Sequence, residues 1–396
     1  MRVLQLCNKP PYPSIDGGCI AMKNISLGLL EKGVSLKIIT ISTEKHPFEI
    51  SMFPKEFVDK TEIEDVFIDT KVNALDGFLA LFSSDSYNVS RFFSSDFDSC
   101  LKKELEKNEY DYIHLESLYL MPFIKIISRY SKAKIVLRSH NVEHLIWERL
   151  ANFETNVVKK LYLSHLSRKL RKYEIKVLND VDGIATISYE DAKRYEELNC
   201  KIPLATMPFG VDLYKYKPVY NGLKDKIKLF HIGSMDWNPN IEAIKWFVDD
   251  IMPVLEVDKL ELHLAGKNMS NEICSMACDD IHIHGTVDSA IDFMGSKDVM
   301  IVPLLSGGGM RIKIIEAMAM GKAVISTSVG LEGIAAVHKK NVLVADSVVE
   351  FKNMITWLMA NPEKIKEIGM NARSFVEESH NNNVIISNLI SFYKTL

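Results

Sequence analysis

Ser306-Gly-Gly-Gly-Met-Arg-Ile-Lys-Ile-Ile-Glu-Ala-Met-Ala-Met-Gly-Lys-Ala-Val-Ile-Ser326 follows the apolar run Val299-Met-Ile-Val-Pro-Leu-Leu305. That run reads as a buried strand. Three glycines then make a loop that backbone or ligand can approach closely, and an apolar helix pattern covers residues 310–320. A glycine loop feeding a helix start presents free N–H groups and the positive end of the dipole, which suits a phosphate. Arg311 and Lys313 add two cations to the expected first turn. Glu316 falls about one turn after Lys313 on the same helix face, where a carboxylate can accept from sugar hydroxyls. Phosphate donors beside a hydroxyl acceptor describe a nucleotide-diphosphate site. The plainer alternative is a glycine turn ahead of an ordinary core helix.

The same strand–helix rhythm extends in both directions. Residues 3–7 read as a short strand, Gly17 and Gly18 precede a helix, and residues 36–41 form the next strand. Further strands are expected at 112–115, 135–137 and 183–187, and then at 228–232, 260–265, 281–284, 299–303 and 323–327. Helices are expected at 240–247, 310–320 and 348–358. Residues 73–98 break the rhythm. Strands alternating with helices imply parallel sheets covered on both faces. The Pro/Gly-punctuated segment 207–218 reads as a linker between two halves. The expected architecture is α/β: two Rossmann-like, doubly wound parallel-sheet domains facing across a cleft. The expected domains are 1–206 and 207–380, with a terminal helix at 381–396 packing back on the first.

Composition narrows the class. Of 396 residues, 47% are hydrophobic and 25% charged, as in an ordinary globular protein, and the net charge of −4 is not that of a nucleic-acid binder. No stretch approaches the roughly 18 apolar residues of a membrane span, and the opening residues are too soon interrupted for a signal peptide, so a cytoplasmic protein is expected. Six scattered cysteines are no disulfide framework. Cys274 and Cys278 with His282 and His284 fit none of the usual zinc spacings, and Ile281 and Ile283 make that strand look like core. No metal is expected.

Several motifs together resemble the retaining glycosyltransferases of family 4, which have the GT-B fold. They are Pro10-Pro-Tyr-Pro-Ser-Ile-Asp-Gly-Gly18, Ser139-His-Asn-Val-Glu143, Val181-Asp-Gly-Ile-Ala-Thr-Ile-Ser188, Pro208-Phe-Gly-Val-Asp212, Phe230-His-Ile-Gly-Ser-Met235 and the stretch from Gly309 to Ile325. The resemblance spans nearly the whole chain. It implies transfer of a sugar from a nucleotide-diphosphate sugar to an acceptor hydroxyl with anomeric configuration kept, and no cofactor or metal beyond that co-substrate. It places the donor on Gly17, Gly18, Gly233, Lys267, Gly309, Met310, Arg311, Lys313 and Glu316. Glu316 would hold the ribose, and His140 would act beside the reacting carbon. Two departures stand out. The earlier of the family's paired glutamates falls at Gly308, and the usual arginine and lysine after the second domain's first strand give way to Ser234-Met-Asp-Trp-Asn-Pro-Asn240.

Each candidate has a structural alternative. His140 could be a satisfied structural histidine, Glu316 a helix-surface glutamate paired with Lys313, and Lys267 an exposed turn lysine. His144 reads as structural. The turn 284–287 resembles a segment that contacts the base through backbone groups. Residues 157–178 carry seven Lys and Arg against the single acid Glu174, interleaved with leucines. Such a helix either presents a solvated charged face or rests on an anionic bilayer holding a glycan or lipid-linked glycan acceptor. Rival readings are a nicotinamide oxidoreductase, disfavoured because no G-x-G-x-x-G follows the first strand, a non-catalytic sugar-nucleotide binder, and a nucleotide-sugar epimerase of the same fold.

Overall fold

The computed structural model describes residues 1–70, 86–220, 222, 226–307 and 309–396. The chain divides into two units, Met1–Pro208 joined by Asn382–Leu396, and Phe209–Asn381.

The first unit is built on seven strands: β1 (Arg2–Cys7), β2 (Ser35–Ser42), β3 (Glu64–Phe67), β4 (Tyr112–Glu116), β5 (Lys134–Ser139), β6 (Gly183–Thr186) and β7 (Leu204–Thr206). All pair in parallel, in the order β3-β2-β1-β4-β5-β6-β7. The inner strands are apolar runs because helices cover both faces. One face packs Leu4, Leu6, Ile113, Leu115 and Leu137 with Phe97 and Phe123. The other packs Val3, Ile38, Met22, Ile25 and Leu29 with Ile386 and Leu389. The last two belong to the terminal helix Asn382–Thr395, which lies against the helix Gly17–Glu31. Burying a large apolar side chain contributes about 1.5–3 kcal/mol, so the returning helix is an integral part of this unit. Strands β3 and β7 escaped the sequence reading: β3 is half exposed and β7 spans only three residues.

The second unit holds β8 (Ile227–Ile232), β9 (Leu260–Ala265), β10 (Ile281–Gly285), β11 (Val299–Val302), β12 (Ala323–Ser326) and β13 (Leu343–Val344). Their order is β10-β9-β8-β11-β12-β13, again parallel. The helix after the glycine loop differs from expectation. It runs over Ile312–Ala319, not 310–320. Gly309 has φ +85°, which excludes it from the helix, and Arg311 takes a non-helical cap conformation. Arg311 therefore sits at the cap and not inside the first turn. The helix expected at 240–247 begins instead at Asn238, with Pro239 in its first turn. A helix absent from the sequence reading, Glu363–Ser379, braces the end of Ile312–Ala319: one Arg373 nitrogen donates to the carbonyls of Ala319 and Tyr216, both at 2.6 Å.

In each sheet the strand order reverses at one place, between β1 and β4 and between β8 and β11. Open α/β sheets bind ligands beyond the strand C-termini at such switch points. Both sets of candidate residues cluster there.

Candidate functional site

In the first unit, Lys9 follows β1 and Glu116 ends β4, side by side at the switch point. Asp16 caps the helix Gly17–Glu31, accepting from the Cys19 amide at 2.9 Å. The Lys9 ammonium reaches the same carboxylate at 2.7 and 2.8 Å, and the His46 ring reaches it at 3.0 Å. Burial disfavours the ionised carboxylate, but His46 and Lys9 outweigh it and hold Asp16 well below the usual carboxylate range. A Cβ on Gly18 would lie 2.7 Å from Lys9 Nζ, so a glycine here leaves room for the lysine. Gly17 and Gly18 do not precede the helix as expected but form its first two residues, and the fold brings Lys9, Asp16 and His46, none of which the sequence reading singled out, onto this helix start.

His140 lies just beyond β5, with its side chain 17% exposed. Its Nε2 is 2.8 Å from Glu116 Oε2. Glu116 is fully buried and is a hub: Gln5 Nε2 donates to it at 2.8 Å, Arg138 at 3.3 Å, and His114 Nε2 lies 3.2 Å away. Burial alone would raise its pKa, yet the Arg138 guanidinium and His114 hold it well below the carboxylate range. An ionised carboxylate can only accept, so His140 Nε2 carries the ring proton and Nδ1 is the acceptor. Burial and the Arg138 charge lower the His140 pKa against the pull of Glu116, which keeps the ring neutral near pH 7. Behind the hub, His114 Nδ1 is 2.6 Å from the Tyr393 hydroxyl of the terminal helix. By the same logic His114 Nε2 faces the carboxylate with its proton, and Tyr393 donates to Nδ1.

In the second unit, the loops after β8 and β9 are tied together. Met235 N donates to Lys267 O at 2.8 Å, and Gly233 N to Ala265 O at 3.1 Å. A Cβ on Gly266 would fall 1.7 Å from the Gly233 carbonyl oxygen, so only glycine permits this contact. Lys267 itself is exposed. After β11, the Arg311 guanidinium lies 4.8 Å over the Trp237 ring and donates to Gly309 O at 2.7 Å. It is thus held across its own loop by a cation–π contact. Met310 packs near Gly333. Among the described residues no side chain caps the first turn of Ile312–Ala319. Lys313 Nζ lies 2.8 Å from Glu316 Oε2, the pairing that the plainer reading expected. Glu316, however, is not on the surface: it is 4% exposed and accepts from the Tyr216 hydroxyl. Burial and the Glu316 charge raise the Tyr216 pKa, which keeps the phenol a donor. Tyr216 lies in the segment that sequence reading dismissed as linker.

Gly308 falls outside the described residues, as do 73–85 of the expected rhythm break. His144 is buried and bonds Glu174 at 2.6 Å, a structural role. Glu174, the one acid of the basic helix Val157–Val177, is fully buried and also accepts from Tyr195, so it does not neutralise the helix's outer face. The start of that helix exposes Val157, Val158 and Leu161 at 69, 77 and 62% beside Lys159 and Lys160. No helix among the described residues is long and apolar enough to cross a membrane.

Two parallel sheets, each with its candidate residues gathered at a switch point, define a two-domain, Rossmann-like α/β class of protein. Residues 226–361 match the family described as Glycosyl transferases group 1. An uncharacterised 44.6 kDa protein of the cps region of Klebsiella pneumoniae is 24% identical over 412 residues, covering 98% of both chains. Sucrose-phosphate synthase from Thermosynechococcus elongatus is similar in structure, with a TM-score of 0.71 at 15% identity over 100% of this chain and 99% of its own. Anabaena HepE, solved in complex with UDP-glucose, gives a TM-score of 0.64 at 12% identity over 100% of both chains. The fold is that of the GT-B glycosyltransferases, and the match to the group 1 family lies in the second unit.

Proposed function

We propose that this protein is a retaining glycosyltransferase of family 4. It moves a sugar from a nucleotide-diphosphate sugar to an acceptor hydroxyl in surface polysaccharide or glycoconjugate synthesis. The observation that carries this reading is the buried Glu316 carboxylate, held by Tyr216 and Lys313 one turn after an uncapped helix start at a switch point. A fixed, desolvated acceptor there suits ribose hydroxyls, and the amides and cations before it suit the diphosphate. The cps-region relative and the UDP-glucose complex of HepE support the substrate class.

In the transfer step the bond from the anomeric carbon to the diphosphate oxygen breaks. The acceptor oxygen bonds to the same face, and its proton passes to the departing diphosphate. Loop amides, Arg311 and Lys313 stabilise that leaving group, so the reading asks for no dedicated metal. His140 presents Nδ1 as an acceptor to the sugar while Glu116 holds its other nitrogen. Proton NMR of the first product tests the stereochemistry: an α-linked donor is expected to give an α-linked product. A β-linked product would overturn retention while leaving glycosyl transfer intact.

The acceptor is proposed to be a glycan or lipid-linked glycan met at the cytoplasmic membrane face. The exposed Val157, Val158 and Leu161 amid lysines support this, since apolar insertion and attraction to anionic lipid act together there. The protein is expected to co-sediment with phosphatidylglycerol vesicles and not with phosphatidylcholine vesicles. Val158→Glu with Leu161→Glu should abolish the binding, and equal sedimentation of this variant with wild type would sink the membrane reading.

A further inference from the structure

Strands β9 and β10 place four ligand-type side chains on one sheet face. Side chains alternate along a strand, so Glu261 and His263 share a face of β9, and His282 and His284 share a face of β10. The parallel register sets His282 directly opposite His263. The two rings stack with centroids 4.7 Å apart, and His284 lies 5.3 Å from His263. His263 Nε2 is 3.3 Å from Glu261 Oε2, and one ligand atom from each of Glu261, His263 and His282 lies within 4.8 Å of the others.

We propose that Glu261, His263 and His282 form a binding site for a transition-metal dication, zinc or a first-row neighbour. Two ligands about 2.0–2.1 Å from a tetrahedral zinc lie roughly 3.4 Å apart, which the Glu261–His263 pair already matches. His282 completes the set with a small side-chain movement, and the half-buried setting leaves a position for water. His263 is 6% exposed and is held from behind, its Nδ1 lying 3.0 Å from His284 Nε2. An outer partner on the second ring nitrogen is what orients a metal-bound imidazole. Binding requires the His263 proton on Nδ1, donated to His284, so that Nε2 offers its lone pair; the proton is relocated along the pair. Two imidazoles and one carboxylate select zinc, cobalt, nickel or copper over calcium or magnesium. Two cations are near: Lys297, buried and 5.3 Å over the Phe293 ring, and Lys228, which the strand register sets opposite Glu261; they oppose a site driven by charge alone and leave coordination by neutral imidazole as the attraction. The site clips the edge strand β10 to β9. In the sequence His282 and His284 stand near Cys274 and Cys278, whereas Glu261 and His263 lie some twenty residues earlier, on the neighbouring strand.

The test is isothermal titration of the chelator-treated full-length protein with zinc, alongside the absorption spectrum with cobalt. The site predicts one equivalent bound with micromolar or tighter Kd, and a cobalt spectrum of tetrahedral intensity without thiolate charge-transfer bands. His282→Gln, at a half-exposed position, should weaken binding at least about tenfold. Glu261→Gln should do the same. Cys274→Ser with Cys278→Ser, both exposed, should leave binding unchanged. Zinc binding that survives His282→Gln and disappears with the cysteines would overturn the proposal, as would no binding by the wild type.

Discussion

Glu116→Ala is expected to lower the unfolding free energy by about 3–5 kcal/mol, because it leaves a buried guanidinium without its counter-charge. Arg138 is 1% exposed, and Glu116 is its ion-pair partner among the described residues. The same substitution strips an acceptor from Gln5 and from His140, and leaves the Tyr393–His114 pair facing a void. Strands β1, β4 and β5 with its following loop meet at this carboxylate, and the terminal helix joins through Tyr393 and His114, so the loss should be felt cooperatively. Urea unfolding measures it. Glu116→Gln, which keeps the shape and one acceptor, should fall between alanine and wild type. Removing the orphaned charge as well, in Glu116→Ala with Arg138→Met, should recover part of the loss. Near wild-type stability of Glu116→Ala would mean that the buried hub is not the organising contact of this unit.

His140→Ala is expected to reduce kcat about 100- to 1000-fold, the usual cost of deleting one preorganised polar contact to a transition state. Nucleotide binding should be unchanged, since Glu316, Tyr216 and Lys313 belong to the second unit. The pH profile gives a separate readout. The folded His140 pKa is lowered, so its neutral form persists below the ordinary imidazole value, and activity should be retained there. It should fall only as the pH drops through the lowered pKa, when Nδ1 gains a proton and stops accepting. Glu116→Gln removes the charge that favours the imidazolium, so in that variant the acid limb should move to still lower pH. An unchanged kcat in His140→Ala would reduce this residue to the structural histidine of its plainer reading.

Much of this was written in local pattern, and the rest depended on which strands become neighbours. The β11 run, the glycine loop and the helix carrying Glu316 could be read because they are contiguous. The helix start could not be fixed to the residue, since Gly309 and Arg311 adopt conformations that periodicity does not encode. The Glu116 hub gathers Gln5, His114, Arg138, His140 and Tyr393 from four segments. A signal was present: Gln5 and His114 each interrupt the apolar run of β1 and β4, and Arg138 closes that of β5 at a buried position. Buried parallel strands seldom carry such residues without partners. Reading those interruptions together would have pointed to a buried polar network at the first switch point. Tyr216 carried no comparable signal, because a tyrosine in a Pro/Gly-punctuated segment reads as surface. Its place beside Glu316 is set by Arg373, more than 150 residues later, holding the backbone of that segment.

The most direct measurement is a thermal-shift titration with a panel of UDP-, GDP-, TDP- and ADP-sugars, run on wild type and on Glu316→Ala. A donor present at about 100 times its Kd should add roughly 2.7 kcal/mol of stability to the wild type. One nucleotide class is expected to give this shift, and the folded Glu316→Ala variant to lose it. A shift from a nicotinamide dinucleotide and from no nucleotide sugar, or an equal shift in wild type and variant, would contradict that expectation.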